Sequence, residues 1–217
     1  SEQAFNQGVA EVDAALELGS ELTLSVTLAG APGGYLDISL EGERGLLFCP
    51  GGPAGSHDNL RDAIIAAEGD PTVFFCVGDF AIDTVRIDRP LTLRALNSGM
   101  ATLRDADPNP RGQGGRPALI IDGVPSGTVR IADLNFVIGG SAVYAGGYRT
   151  GNLLGTWDQI EIDSVHIRAR TPGSAQSFTI RPFPSSVPTA RMEVSNSVFE
   201  DVFIGVFALA RGVNVRS

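Results

Sequence analysis

A repeat of short β-type segments constrains the fold of this chain more than any other feature of its sequence. From Thr72 onward, apolar side chains recur at every second position, in short runs separated by Gly, Pro, Ser and Asn. A period of two is typical of strands, whereas helices show spacings of three and four. Three of the runs, 129–137, 160–168 and 192–200, align with one another without gaps.

Each aligned run has an apolar residue at its third position, which we call the anchor. The anchors are Ile131, Ile162 and Val194, and Val215 continues the series. Val215 follows Val194 by about 21 residues, which suits one coil of a parallel β-helix, where three short strands form a coil and coils stack about 4.8 Å apart. The longer spacings then contain inserted loops. The repeat predicts an all-β solenoid in which the anchors stack inward.

The position two residues after each anchor is always small and polar: Asp133, Ser164, Asn196 and Ser217. Such residues favour bends, because their short side chains form hydrogen bonds with nearby backbone groups. We therefore expect the chain to bend at these positions and the side chains to bond along the stack.

The first 48 residues are predicted to form a separate small subregion. The runs 22–28 and 35–40 alternate apolar and polar side chains on either side of a Gly/Pro-rich turn, which predicts a β-hairpin. Upstream, Val9, Val12 and Leu16 recur at the spacing of a short amphipathic helix.

A short helix is predicted over 56–67. Ser56 occupies the N-cap position, and Gly69 and Pro71 follow the end of the helical pattern. Its apolar stripe consists of Leu60, Ala63, Ile64 and Ala67. We expect this helix to cap a β-helix domain that covers 49–217.

The charge of the chain limits its partners. It has 16 basic residues, all of them arginine, and 25 acidic ones, for a net charge of -9. The arginines are scattered among acids instead of forming a basic face, so nucleic acid is not an expected partner. No apolar run approaches the roughly 20 residues needed to span a bilayer.

The stretch from Cys49 to Ala95 contains, in order, the motifs CPG, RDAI, GDPTV, CVGDF and VRIDRPLTL. This order resembles the N-terminal segment of secreted right-handed parallel β-helix proteins of the pectate-lyase-like superfamily. The resemblance implies a right-handed parallel β-helix. Proteins of this kind include glycan lyases, hydrolases, periplasmic maturation factors and cell-surface proteins without known chemistry, so the fold alone does not imply an activity.

Cys49 and Cys76 are the only cysteines. Taken by themselves they are either a disulfide or two buried thiols. The resemblance implies a bridge, because these positions are typically paired in the similar proteins. A bridge implies an oxidising compartment, and hence an extracellular, cell-surface or periplasmic location.

Two sets of charged residues are candidates for chemistry. His166 and Arg168 are expected to point outward, with Glu200 aligned to Arg168 one coil away, which suits acid/base work on a glycan or else a simple surface salt bridge. The carboxylates of Glu161, Asp163 and Glu193 would suit calcium; the alternative is a solvated row in which Arg130 pairs with Glu161. No other cofactor is expected.

A Gly-rich insertion at 139–158 carries aromatic residues that would suit sugar stacking if they were exposed. The candidate ligand-binding residues are Tyr144, Tyr148, Arg149 and Trp157. The alternative is that they fold over the neighbouring coil.

The leading functional expectation is a noncatalytic extracellular or cell-surface module that recognises glycan or mediates adhesion. The alternatives are a polysaccharide lyase or glycoside hydrolase acting on acidic glycan, and a purely structural stalk. The expected partner is a polysaccharide.

The last run, VNVRS, starts a new coil without a polar cap. A β-helix that stops there would expose unpaired backbone groups. We therefore expect either a longer β-helix, truncated after 217, or an end-to-end dimer.

Overall fold

The computed structural model describes residues 9–15, 21–28, 36–40, 43–52, 56–67, 69, 72–105, 116–145, 157–172, 176–180, 191–208 and 213–215. The residues that the structure describes are all-β apart from one short helix. The chain divides into two compact units, Ser1–Cys76 and Val77–Ser217. The predicted division into 1–48 and 49–217 stays a prediction.

The first unit contains five strands in the order β1-β2-β3-β4-β5. They are β1 (Val9–Ala15), β2 (Glu21–Leu28), β3 (Leu36–Leu40), β4 (Glu43–Phe48) and β5 (Thr72–Phe75). Neighbours are antiparallel up to β4, and β4 pairs with β5 in parallel.

The predicted hairpin is confirmed, because Leu28 pairs with Leu36 across β2 and β3. The helix expected around Val9 to Leu16 is wrong, since Val9–Ala15 forms β1 and pairs along its length with β2. Backbone pairing with a neighbouring strand outweighs a weak helical spacing in so short a segment.

A disulfide joins Cys49 to Cys76, as the resemblance implied. Cys49 begins a tight turn in which the N–H of Gly52 donates to the carbonyl of Cys49 at 2.8 Å. Gly51 has φ 68°, a left-handed conformation that Gly adopts easily, and Pro50 precedes it, as in a type II turn. The side chain of Ser56 donates to the same carbonyl at 3.1 Å.

The predicted helix is present but shorter, and α1 covers Leu60–Ala66. Its N-cap is Asn59, whose side chain accepts a hydrogen bond from the N–H of Arg61 at 2.8 Å. The expected cap at Ser56 is therefore wrong, because that hydroxyl bonds to the turn at Cys49. The predicted apolar stripe is buried at every position.

The second unit is built from three sheets of parallel strands. The first sheet contains β8 (Leu91–Ala95), β11 (Val124–Ala132), β14 (Trp157–Asp163), β17 (Arg191–Ser195) and β20 (Val213–Val215). The second contains β6 (Gly78–Ile82), β9 (Ala101–Asp105), β12 (Leu134–Ile138), β15 (His166–Ala169) and β18 (Val198–Glu200). The third contains β7 (Val85–Ile87), β10 (Leu119–Ile121), β13 (Ser141–Ala145), β16 (Gln176–Ile180) and β19 (Ile204–Ala208).

Consecutive strands from β6 to β20 belong to the second, third and first sheets in turn. Each strand from β6 to β17 pairs in parallel with the strand that comes three strands later in the chain. We call three consecutive strands, one in each sheet, a round. Parallel stacking of rounds is compatible with a β-helix-like solenoid. It also explains why the strands show a period of two with one buried face.

The predicted register of the anchors is confirmed. Ile131 pairs with Ile162, Ile162 with Val194, and Val194 with Val215. Ile131 is fully buried, and Ile162 and Val194 are each 1% exposed. Leu93 pairs with Ile131 and extends the same inward row by one round.

The predicted bends are also present. Asp133, Ser164 and Asn196 have φ of 60°, 53° and 50°, in the left-handed region that Asp and Asn tolerate better than most residues. The N–H of Asp133 donates to the carbonyl of Asp163 at 3.1 Å, and the N–H of Ser164 to that of Ser195 at 3.2 Å. Ser217 lies outside the described residues.

Truncating the central anchor tests the inward stack. We expect Ile162→Ala to lower the free energy of unfolding by about 2–5 kcal/mol, because a close-packed interior cannot collapse fully around the hole. Chemical denaturation measures the change. Val198→Ala is the control, since Val198 is 56% exposed, and it should have an effect of about 0.5 kcal/mol or less. Equal effects of the two variants would contradict the assigned register.

Removing the disulfide tests its contribution to the free energy of unfolding. The bridged residues are 27 apart in sequence, and a loop of that size is expected to contribute roughly 3.5 kcal/mol by restricting the unfolded chain. The Cys49→Ala/Cys76→Ala variant should lose about this much stability by denaturation, and the wild type should lose it on reduction. Reduction should leave the double variant unchanged.

Candidate functional site

Strand β15 presents the predicted acid/base residues on the outer face of the second sheet. Its central residue, Ile167, is fully buried, so His166 and Arg168 lie on the opposite face. The next strand, β18, places Glu200 directly beside Arg168, as predicted. We call the outward group formed by Asn135, His166, Arg168 and Glu200 the polar face.

The structure brings His166 and Glu200 into contact. The imidazole Nε2 lies 3.0 Å from Oε2 of Glu200, although the backbone partner of His166 is Val198. The two side chains are 44% and 47% exposed, so the pair lies in water at the surface. Arg168 is exposed, and it forms no ion pair with a described residue, despite its position beside Glu200.

The strands before β15 continue the polar face with fixed side chains. The amide of Asn135, which pairs with His166, donates to the carbonyl of Gly99 at 2.6 Å. Further along the sheet, Arg104 binds Asp79 at 2.9 Å. The hydrogen bond from Arg104 lowers the pKa of Asp79 and outweighs the opposing effect of burial. The Arg104–Asp79 ion pair is exposed and contributes little stability.

The proposed calcium residues occupy the outer face of the first sheet. Glu161 and Glu193 are neighbours across β14 and β17, and Arg130 lies beside Glu161, as predicted. Within the described residues, however, no three acidic, histidine or cysteine side chains are grouped to hold a metal ion. Glu161 instead accepts a hydrogen bond from Gln159 at 2.7 Å.

Asp163 is committed to hydrogen bonds with the next round. Its Oδ1 accepts from the hydroxyl of Ser195 at 2.7 Å and from the amide of Asn196 at 2.9 Å. The Ser195 hydrogen bond is the largest cause of a lowered pKa for Asp163, assisted by Asn196, the charge of Arg130 and a hydrogen bond from Ser164, and opposed by burial. This carboxylate therefore joins rounds at the bend. The calcium site stays a prediction.

The two candidate ligand-binding aromatic residues that the structure describes are buried. Tyr144 lies in β13 and is 7% exposed, and Trp157 lies in β14 and is 4% exposed. Both belong to strands and not to a surface loop, so neither ring is available to stack on a sugar. Tyr148 and Arg149 lie outside the described residues.

Sequence reasoning missed an ion pair between the buried Asp105 and Arg170. Asp105 ends β9 at a position that alternation places inward, in register with Ile82, and its side chain is 7% exposed. Its carboxylate contacts the guanidinium of Arg170 and accepts from the N–H of Gly139 at 2.7 Å. The sequence contains a pattern that indicates the burial of Asp105: in the run ATLRD, alternation places it on the same face as Ala101 and Leu103. A carboxylate on an apolar face needs such partners.

Comparisons with protein-family models, with curated proteins and with solved structures found no match. No helix in the described part of the chain is long and apolar enough to cross a membrane. The site is therefore interpreted from its own geometry.

The Asp163 cluster predicts a specific acid sensitivity. Because hydrogen bonds hold the pKa of folded Asp163 below the ordinary value of an aspartate, the unfolded chain takes up the proton first as the pH falls. The stabilisation is present above the pKa of the unfolded chain and is lost as the pH falls through the folded pKa. Denaturation measured from neutral pH down to strongly acidic pH should show that the stability advantage of wild type over Asp163→Asn shrinks. Asp83→Asn, at an exposed position, serves as the control, and a constant advantage would contradict the assignment.

Proposed function

We propose that this chain is a noncatalytic extracellular or cell-surface module, built as a right-handed parallel β-helix, that recognises glycan through the polar face of its second unit. The cyclic order of the three parallel sheets supports the β-helix. The Cys49–Cys76 disulfide supports an oxidising location, because such bonds are rare in reducing compartments.

The observation that carries the proposal is the composition of the polar face. Strands β12, β15 and β18 hold an amide, an imidazole, a guanidinium and a carboxylate at adjacent register positions on one surface. These groups together offer several donors and acceptors for sugar hydroxyls. Val198, the backbone partner of His166, is 56% exposed and adds an apolar contact for the C–H face of a sugar ring.

Binding explains this surface better than catalysis does. His166 and Glu200 are almost half exposed and bonded to each other. Catalytic acids and bases are usually tuned by burial and enclosed with their substrate. A carbohydrate hydrolase also commonly needs two carboxyl groups flanking the bond to be cleaved. The polar face contributes only Glu200.

The contact between His166 and Glu200 supports a second candidate, a lyase or hydrolase of acidic glycan. A carboxylate bonded to a histidine can orient the imidazole for proton transfer. In that case His166 abstracts or donates the proton and Arg168 holds an acidic group of the substrate. The two candidates differ in whether the bound glycan is turned over.

Glycan binding tests the proposal. We expect the protein to bind members of a panel of neutral and acidic oligosaccharides without cleaving them. Arg168→Ala should weaken that binding roughly tenfold or more, since a hydrogen bond to a charged group contributes about 1.5–3 kcal/mol. Isothermal titration calorimetry measures the affinity. Arg116→Ala is the matched control, because Arg116 is also exposed but lies outside the polar face.

Other outcomes separate the alternatives. Cleavage of an acidic glycan that is lost in His166→Ala would favour the enzyme. Equal loss of binding in the Arg116 and Arg168 variants would remove the polar face from the site. No binding to any member of the panel would contradict the proposal and leave a structural stalk.

A further inference from the structure

Residues 56–58 of the first unit hold the turn that follows β4 and contains Cys49, and we call these three residues the latch. His57, at the centre of the latch, forms an isolated parallel bridge with Phe48, the last residue of β4. Its N–H donates to the carbonyl of Leu47 at 2.8 Å, and its carbonyl accepts from the N–H of Cys49 at 2.9 Å. The backbone of His57 is therefore bonded to the residues on both sides of Phe48.

The side chains next to His57 bind the same turn. The hydroxyl of Ser56 donates to the carbonyl of Cys49 at 3.1 Å, and Oδ1 of Asp58 accepts from the N–H of Gly51 at 2.8 Å. The turn is tight, because a Cβ atom placed on Gly52 would lie 2.8 Å from the Sγ of Cys49. The latch therefore holds the backbone close to one sulfur of the Cys49–Cys76 disulfide.

The centre of the latch is a buried titratable side chain. His57 is 8% exposed. Burial lowers the pKa of His57, because a protonated imidazole loses its hydration, and the charges of Asp62 in α1 and Asp58 in the latch offset this effect only in part. Strand β4 bonds to His57 through Leu47 and bridges to it at Phe48, and both residues are uncharged. The neutral imidazole is therefore the form that suits the closed latch.

We propose that the latch is an acid-sensitive switch, in which protonation of His57 releases residues 56–58 from the turn and loosens the backbone beside the Cys49–Cys76 disulfide. A protonated imidazole is destabilised by burial in the closed latch and hydrated in the open one. Because the proton binds the open latch more tightly, acid shifts the equilibrium toward that state.

The direction of the pH dependence follows from the same difference. In the open latch the pKa of His57 is that of an ordinary histidine, about 6.5, and in the closed latch it is lower. The open latch therefore takes up the proton first as the pH falls. The closed latch has its full stability above the pKa of the open form and loses stability as the pH falls, until the pKa of the closed form is passed.

Hydrogen exchange of the full chain, followed by mass spectrometry, tests the proposal. Peptides that cover Cys49, Gly51 and His57 report the three N–H groups that donate in the latch. Their protection factors, corrected for the intrinsic pH dependence of exchange, should fall at least about threefold between about pH 7.5 and about pH 5, which corresponds to half a pKa unit. Carboxylates in general remain ionised over this range.

Two variants make the test specific to one histidine. His57→Gln should abolish the fall in protection, since glutamine does not take up a proton. His166→Gln is the matched control, because the chain has only two histidines and the side chain of His166 is 44% exposed. This control should show the same fall as the wild type. Circular dichroism checks that both variants fold.

The His166→Gln protein also allows a measurement that leaves the latch unchanged. Its single imidazole belongs to His57, so the NMR signals of that ring should titrate with a midpoint below about 6.5. Equal protection at both pH values in the wild type, the same fall in His57→Gln, or a midpoint at or above that of an ordinary histidine would overturn the proposal. None of these measurements involves glycan, so the proposed function is tested separately.

Discussion

In-register pairing between parallel strands is the constraint on which the second unit depends. A strand in a parallel sheet forms its backbone hydrogen bonds with the strands on either side. Each round must therefore place its apolar side chains in register with the apolar side chains of the next round. The inward row through Leu93, Ile131, Ile162 and Val194 follows from this requirement. A shift of one residue would turn that row outward and expose the core.

The bends satisfy the same requirement with polar groups. Asp133, Ser164 and Asn196 repeat one left-handed backbone conformation in successive rounds, and hydrogen bonds join each bend to the next. Asp163 and Ser195 extend this network from the strand ends. The corner after the second sheet uses the buried Asp105 carboxylate instead, so polar side chains join the rounds at two separate corners.

The same stacking makes surfaces as well as a core. Because outward residues also align from strand to strand, Glu200 meets His166 and Arg168 on one face although it is distant from them in sequence. The proposed glycan site is therefore a consequence of the same stacking that forms the core.

The sequence by itself determined the strand period, the anchors, the bends at Asp133, Ser164 and Asn196, and the register of Arg168 with Glu200, because these depend on alternation and repeat spacing. Only the tertiary structure decided the state of Val9–Ala15, where pairing with β2 overrode a helical spacing. It also decided that Glu200 contacts His166, that Tyr144 and Trp157 are buried, and which residue pairs with Asp105. Burial and side-chain contacts depend on which distant segments cover a position, and local periodicity carries no information about that.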